Sequence, residues 1–164
     1  MDYATFRSQI QSGDLLAWST HRDKGWRRFI NHLIRIFTMS EYCHVGIAWV
    51  INERVFVIEA VQPCVRIYPL STETPFYHIA MNLQVKDNQL NYLLSRVGEP
   101  YSVWQALYAY FGKPKSDKAW QCAELCNSFY RKVGIPLKGG WTPSALVEAI
   151  LGLSDNNRLT FVSR

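Results

Sequence analysis

Alternating apolar and polar positions predict a sheet in the first half of the chain. The turn residues of "SGDLLAW" (12–18) run into a short apolar strand. Runs rich in valine, isoleucine and aromatic residues predict four more strands, at 43–50, 54–61, 64–70 and 76–83. The polar pair Asn52-Glu53 separates the first two of these runs, which predicts an antiparallel hairpin.

The second half of the chain has mainly helical patterns. Stretches with the apolar spacing or the end signals of helices occur at 26–37, 87–98, 102–112, 120–134 and 142–153. Asp87 is expected to cap the second of these, and Thr142 followed by Pro143 indicates the start of the last. Strands early and helices late predict an α+β fold, with an antiparallel sheet or a small barrel packed against helices.

The charge of the chain bears on its partners. Segment 26–37 is apolar on one face and basic on the other, and such a helix can lie on an anionic membrane surface. We favour the more common role, a helix packed on the core with a solvated basic face. The net charge of +5 favours anionic partners such as nucleic acid, phospholipid head groups or acidic wall polymers, without choosing among them. An anionic membrane surface stays open, and we expect no specific nucleic-acid partner.

Length and composition indicate a single domain over 1–164. A chain of 164 residues with 48% apolar content can form one core of its own. Its apolar runs are far shorter than the roughly 20 residues of a membrane-spanning helix. The N-terminus "MDYATFRSQIQSGD" lacks the basic start and apolar run of a secretory signal. We therefore expect a cytoplasmic protein, or one delivered or released by another route, for example by a phage. The sequence does not define the oligomeric state.

The four cysteines are expected to be free thiols. The chain has neither a secretion signal nor the small, cysteine-dense character of a disulfide scaffold. No two cysteines have CxxC spacing, and the four histidines do not cluster with them, so a zinc site is not expected. We expect no metal and no organic cofactor.

One of the four thiols is placed where a helix favours the thiolate. The unpaired amides and the dipole of a helix N-terminus favour negative charge. Cys122 lies in the first turn of the predicted helix, whereas Cys126 lies one turn further on and is expected in the core. Cys43 and Cys64 lie on predicted strands, where small buried thiols are usually inert. Cys122 is therefore the candidate nucleophile, and the alternative that it has no chemical role stays open.

His44 is the favoured candidate for a general base. It begins a strand of small and apolar residues, although a histidine merely tolerated at a strand end is the alternative. His78 is the second candidate, and His21 and His32 are set aside because they lie in a basic loop and a basic helix. Cys43 is the sequence neighbour of His44, but adjacent residues on a strand point to opposite faces, so this pair is not expected to react together.

Glu59 is the candidate for the polar group that orients the histidine. It is a carboxylate in the apolar run "VFVIEAV". A two-residue turn would pair Ile51 with Arg54 and make Glu59 and His44 diagonal neighbours on one face of the sheet. A three-residue turn would point Glu59 to the other face. The register of the hairpin therefore tests the arrangement.

The motifs occur in a particular order along the chain: "SGDLL", "TMSEYCHVGIAW", "VFVIEAV", "WQCAELCNSFY" and "TPSAL". In that order they resemble the circularly permuted papain-like hydrolases, relatives of the NlpC-type cell-wall peptidases and of lecithin:retinol acyltransferase. The resemblance covers about residues 12–147. It implies a permuted papain-like fold in which Cys122 is the nucleophile, His44 the general base and Glu59 the group that orients the imidazole.

Three further positions bear on the resemblance. Asp14 matches the "GD" motif of the family, and we interpret it as a turn residue at least as readily as a catalytic one. Glu124 matches the glutamate of the family's "C-S-E-L" helix, and we interpret it as a helix-start residue favoured by the dipole. Ala123 stands where the family often has serine, which is not expected to abolish the chemistry.

The resemblance implies a cysteine peptidase or amidase. Its expected substrates are peptide or acyl-amide compounds, with the peptides of bacterial peptidoglycan as the leading class, cleaved through a thioester acyl-enzyme. A lipid-directed thiol acyltransferase or esterase is an alternative, to which the basic helix and the 14% aromatic content are suited. A papain-like domain that binds an acylated or peptide ligand without turnover is another.

Overall fold

An antiparallel sheet is the framework of the fold. The computed structural model describes residues 1–19, 41–102, 119–135, 137–154 and 157–164. Within them the sheet has six strands in the order β4-β3-β2-β1-β5-β6, and every neighbouring pair is antiparallel. The strands are β1 (Leu15–Trp18), β2 (His44–Ile51), β3 (Arg54–Ala60), β4 (Val65–Pro69), β5 (Phe76–Ile79) and β6 (Leu159–Val162). In the described part of the chain β4 and β6 are the edges, so the sheet is open.

The helices complete the α+β class that the sequence predicts. Those in the described ranges are α1 (Tyr3–Phe6), α2 (Asp87–Leu94), α3 (Cys122–Val133) and α4 (Pro143–Leu151). The predicted helix at 26–37 lies outside the described residues, as do His21, His32 and all of the predicted helix at 102–112 except Ser102. No helix in the described ranges is long and apolar enough to cross a membrane.

The five predicted strands are present, and their ends differ slightly from the predicted ones. The largest difference is in the run 76–83, which is extended only as far as Ile79. Asn82 has a φ of 50°, in the left-handed region, which a continuing strand does not allow. The structure adds β6, a four-residue strand at the edge of the sheet beside β5, in a stretch for which the sequence predicts no element. Four residues are too few for alternation to stand out.

The β2-β3 hairpin has the predicted two-residue turn. Asn52 and Glu53 have φ values of 47° and 61°, the left-handed conformation that tight hairpin turns require. Ile51 pairs with Arg54, which is the one of the two possible registers that places Glu59 and His44 on the same face.

The ends of the helices follow local chemistry. Gln121 precedes α3, and Gly134 ends it with a left-handed φ of 98°. Thr142 caps α4 as predicted, since its hydroxyl accepts a hydrogen bond from the Ala145 amide at 3.3 Å. The predicted cap of α2 is wrong: Asp87 is its first helical residue.

Lys86 takes the N-cap position of α2. Its backbone amide donates to Gln89 Oε1 at 2.9 Å, so the glutamine in the first turn satisfies the amide of the N-cap residue. The helix stops at Leu94, and turns lead from there to Gly98, which has a φ of 89°.

Two apolar clusters stabilise the sheet. The larger contains Leu125, Cys126 and Phe129 of α3 together with Val45 and Ile58 of the hairpin. The smaller packs Phe6 and Ile10 near the N-terminus against Leu16, Ala48 and Val57. Because α3 packs directly on β2 and β3, its first residue, Cys122, is placed beside the hairpin.

Candidate active site

The hairpin brings His44 and Glu59 together. In the observed register they are diagonal neighbours, and His44 Nε2 lies 2.7 Å from Glu59 Oε2. The Glu59 side chain is fully buried, whereas that of His44 is 14% exposed. A buried carboxylate beside a slightly exposed imidazole is the arrangement in which the acid orients the ring and the ring can reach a substrate.

Gly46 gives the two side chains room to meet. A Cβ atom at this position would lie 2.5 Å from Val57 Cγ2, far inside van der Waals contact, and 3.3 Å from Glu59 Cβ. Valine is stiff because it is branched at Cβ, so it cannot easily turn away. A larger residue here must push either Val57 or Glu59 out of place.

We expect Gly46→Ala to lower the free energy of unfolding by about 1–3 kcal/mol, the usual cost of overpacking. Chemical denaturation measures this loss. Gly152→Ala is the matched control, because a Cβ there would meet only the backbone oxygens of Glu148 and Ala149, at 3.4 and 3.8 Å. Equal losses in the two variants would contradict the role given to Gly46.

Cys122 is the first residue of α3 and is 5% exposed. The side chain of Gln121 closes the start of this helix, since its Oε1 accepts a hydrogen bond from the Ala123 amide at 3.0 Å. The thiol of Cys122 lies 3.9 Å from the same oxygen. Gln121 Nε2 donates to the Trp141 carbonyl at 2.5 Å. The glutamine thus ties the start of α3 to the loop before α4.

The Cys122 thiol lies close enough to the His44 imidazole to act on its charge. Glu59 is hydrogen-bonded to His44, and both Glu59 and Cys122 raise the pKa of its imidazole. Because Nε2 bonds to Glu59, Nδ1 is the ring nitrogen left for the thiol. The structure therefore brings all three predicted site residues together, in the sequence thiol, imidazole, carboxylate.

The surroundings of His44 favour its charged form. Burial acts to lower its pKa, but the hydrogen bonds with Cys122 and Glu59 and the negative charges of these groups raise it to about 9. An imidazolium at His44 and a thiolate at Cys122 would therefore stabilise each other.

Arg66 bonds to the second oxygen of Glu59. It stands directly opposite Glu59 in the pairing of β3 with β4. Its Nε and Nη2 atoms lie 2.9 and 2.7 Å from Glu59 Oε1, and Nη2 also lies 3.4 Å from Glu73 Oε1. The Arg66 side chain is 37% exposed, and its guanidinium stacks over the ring of Tyr68 at 4.3 Å.

Trp18 packs against the ring of His44. The two residues are paired across β1 and β2, and their ring centroids are 5.3 Å apart at an interplanar angle of 39°. The indole Nε1 donates to the backbone carbonyl of Glu73 at 2.7 Å. Trp18 is 1% exposed, so this contact is held inside the protein.

Sequence reasoning missed Arg66, Trp18 and Gln121. A signal for Arg66 was present, because it is a charge in the predicted strand "CVRIYPL", next to a strand that carries a buried glutamate. Pairing these two strands could have placed the charges opposite each other. Trp18 gave no such signal, since an aromatic residue at the end of a strand is ordinary.

The remaining thiols differ from Cys122. Cys126 is fully buried, and burial raises the pKa of its thiol well above its usual range, which agrees with the predicted core role. Cys43 was expected in the core, but it is only partly buried, and its thiol donates to the Trp18 carbonyl at 3.4 Å. It precedes the first residue of β2, where the chain is still at the border of the sheet. Cys64 is also partly buried, and all four thiols are free.

His78, the second candidate base, has a structural partner. Its Nε2 lies 2.8 Å from Asp14 Oδ2, and both side chains are nearly inaccessible. Asp14 also accepts the amides of Gln11 at 2.8 Å and Met81 at 2.9 Å. Asp14 therefore connects the turn before β1 to the end of β5, an anchoring role beyond the turn residue that the sequence indicates. Glu124 lies in the first turn of α3, as expected.

Fold and site together define an α+β protein in which the start of a helix presents a thiol to a histidine and a carboxylate on an antiparallel hairpin. Comparison with protein-family models finds no match, and comparison with curated proteins finds none. Among solved structures, the chain is similar to a crystal structure of metalloprotein yiiX from Escherichia coli O157:H7, DUF1105, with a TM-score of 0.57 and 20% sequence identity. The match covers 76% of this chain and 67% of that one. At this identity the likeness shows the fold alone.

The word metalloprotein describes that neighbour. Among the residues that the structure describes in the present chain, no group of three or more histidine, cysteine, aspartate or glutamate side chains is placed to hold a metal ion.

Proposed function

We propose that this protein is a cysteine-dependent hydrolase of amide bonds, a peptidase or amidase with a permuted papain-like fold. The observation that carries the proposal is the placement of Cys122, at a helix N-terminus, beside the bonded pair of His44 and Glu59. The base precedes the nucleophile in the chain, which is the order of the permuted group. Peptides of the bacterial cell wall are the proposed substrates, on the strength of the resemblance to NlpC-type peptidases.

The proposed reaction has two steps. The Cys122 thiolate attacks the carbonyl carbon, and the C–N bond breaks as the His44 imidazolium gives its proton to the leaving nitrogen. The neutral imidazole then takes a proton from water, whose oxygen attacks the thioester carbonyl. The C–S bond breaks, the acid is released, and the thiolate and imidazolium are restored. No cofactor takes part in either step.

The start of α3 also limits which amide can stabilise the developing oxyanion. Donors that point at the developing charge contribute strongly to this type of catalysis. The Ala123 amide is already bonded to Gln121 Oε1 at 3.0 Å. We therefore assign the Cys122 amide, at the first helical position where no intrahelical acceptor exists, as the backbone donor.

Alkylation by iodoacetamide tests the thiolate. Mass spectrometry of the native protein at neutral pH follows all four cysteines in one experiment. We expect Cys122 to react faster than free cysteine, because the neighbouring imidazolium stabilises its thiolate, and Cys126 to react slowest because it is fully buried. A Cys122 rate no higher than that of free cysteine would overturn the proposal in favour of a binding domain.

Substrate assays separate the two enzymatic alternatives. Purified cell-wall peptides are expected to be cleaved at an amide bond, with release of a new amino group. Vesicles of anionic phospholipid are the second substrate, and release of a fatty acid from them without cleavage of wall peptides would favour the lipid-directed esterase.

A further inference from the structure

Glu59 belongs to a closed ring of contacts, of which the proposed reaction uses only the bond between Glu59 and His44. Its Oε2 bonds to His44 and its Oε1 to Arg66. Arg66 reaches Glu73, the Glu73 carbonyl accepts the Trp18 indole, and the Trp18 ring packs on His44. We call these residues, His44, Glu59, Arg66, Glu73 and Trp18, the Glu59 ring.

We propose that Arg66 is a positioning residue, which holds the Glu59 carboxylate charged and aimed at His44 and so sets the pH range in which Cys122 is reactive. This inference rests on the proposed function and deepens it. Arg66 touches neither the thiol nor the imidazole in the contacts described, so its influence passes through Glu59.

Geometry supports this role. Glu59 is fully buried, and a buried carboxylate without a cationic partner tends to take up a proton. Arg66 donates from two nitrogen atoms to one oxygen, which fixes that oxygen and leaves the other directed at His44. The His44 imidazole is bonded to Glu59 through Nε2 and packs against the ring of Trp18. Rotation of the imidazole would break one or both of these contacts.

Charge supports it as well. The ionisable groups facing one another here are Glu59 on β3, His44 on β2, Arg66 on β4, Glu73 after β4 and Cys122 on α3. Cys126 on α3 also interacts electrostatically with Cys122 and Glu59, but burial raises the pKa of its thiol well above its usual range. Loss of the Arg66 charge makes this group more negative, which favours protonation of every member. Loss of the Glu73 charge makes the group less negative and so disfavours protonation of its members.

The test is the rate of Cys122 alkylation by iodoacetamide, measured over about pH 5–10, a range that spans the titration of imidazole and thiol. We expect Arg66→Met to move the midpoint upward by about one pH unit, which is roughly a tenfold slower reaction below the midpoint. Arg66→Lys keeps the charge and should return the midpoint most of the way to its wild-type value. Glu73→Gln should move the midpoint slightly downward.

Arg54→Met is the matched control, because Arg54 lies on β3 like Glu59 but at the exposed turn of the hairpin. An Arg66→Met midpoint no different from that of Arg54→Met would overturn the positioning role, while a fast Cys122 in the same proteins would leave the proposed function standing. A wild-type Cys122 no faster than free cysteine would overturn the proposed function itself. If Arg66→Met does not fold, the Glu73→Gln variant tests the inference instead. A Glu73→Gln midpoint that equals or exceeds the wild-type midpoint overturns the inference.

Discussion

Cys122→Ala is expected to reduce hydrolysis of cell-wall peptides to the uncatalysed level. The proposed reaction passes through a bond to the Cys122 sulfur, and the methyl group of alanine cannot form it. Release of amino groups from purified wall peptides measures the loss. A thermal melt of the same variant should show a folded protein, because the change removes only one atom from a site at the border of the core.

Cys43→Ala is the control for this change. Cys43 is a thiol adjacent to His44 in the chain, but its hydrogen bond goes to the Trp18 carbonyl. We expect this variant to retain most of the activity. Loss of activity in Cys43→Ala with retention in Cys122→Ala would contradict the assignment of the nucleophile.

Glu59→Gln is expected to lower the rate by up to about four orders of magnitude, the loss that the corresponding Asp→Asn change causes in a Ser-His-Asp triad. The glutamine side-chain amide carries no charge to stabilise the imidazolium. It can also turn its N–H group toward the protonated ring nitrogen, which needs a hydrogen-bond acceptor instead. The pKa of His44 should fall from about 9, since Glu59 contributes both a hydrogen bond and a negative charge to it. Titration of the imidazole by NMR measures this fall.

The same substitution should reduce stability by about 1.5–3 kcal/mol, the range for a hydrogen bond to a charged group. Glu73→Gln is its matched control: Glu73 is also a buried carboxylate bonded to Arg66, but its side chain is not bonded to His44 in the contacts described. We expect that variant to keep most of the rate. Similar rate losses in both variants would mean that Glu59 acts only as a structural partner of Arg66.

The positions of His44 and Glu59 could be predicted because hairpin geometry is local. The length of the turn fixes every pair along β2 and β3, so the sequence narrowed the arrangement to two registers, and the structure has the one that places these side chains on one face. Cys122 could be singled out because a helix N-terminus is also a local feature. What brings the helix start to the hairpin is the packing of α3 on the sheet, which is long-range and leaves no pattern in the sequence.

The same distinction explains what was missed. Arg66 and Trp18 reach the site through strand neighbours that are set by the order of strands in the sheet, β4-β3-β2-β1. The strand pattern favours His44 over His78 without excluding His78, since both lie on strands, and in the structure both have a buried carboxylate at 2.7–2.8 Å. The thiol of Cys122 beside His44 distinguishes them.

The turn at Asn52-Glu53 places different constraints on composition and on length. Glycine or asparagine can adopt the left-handed φ values at both positions of the turn, so the residues there can change without moving the strands. An added residue would turn Glu59 away from His44 while leaving a sheet that still looks intact. In related chains, the number of residues between His44 and Glu59 is therefore a better marker of a competent site than the identity of the residues in the turn.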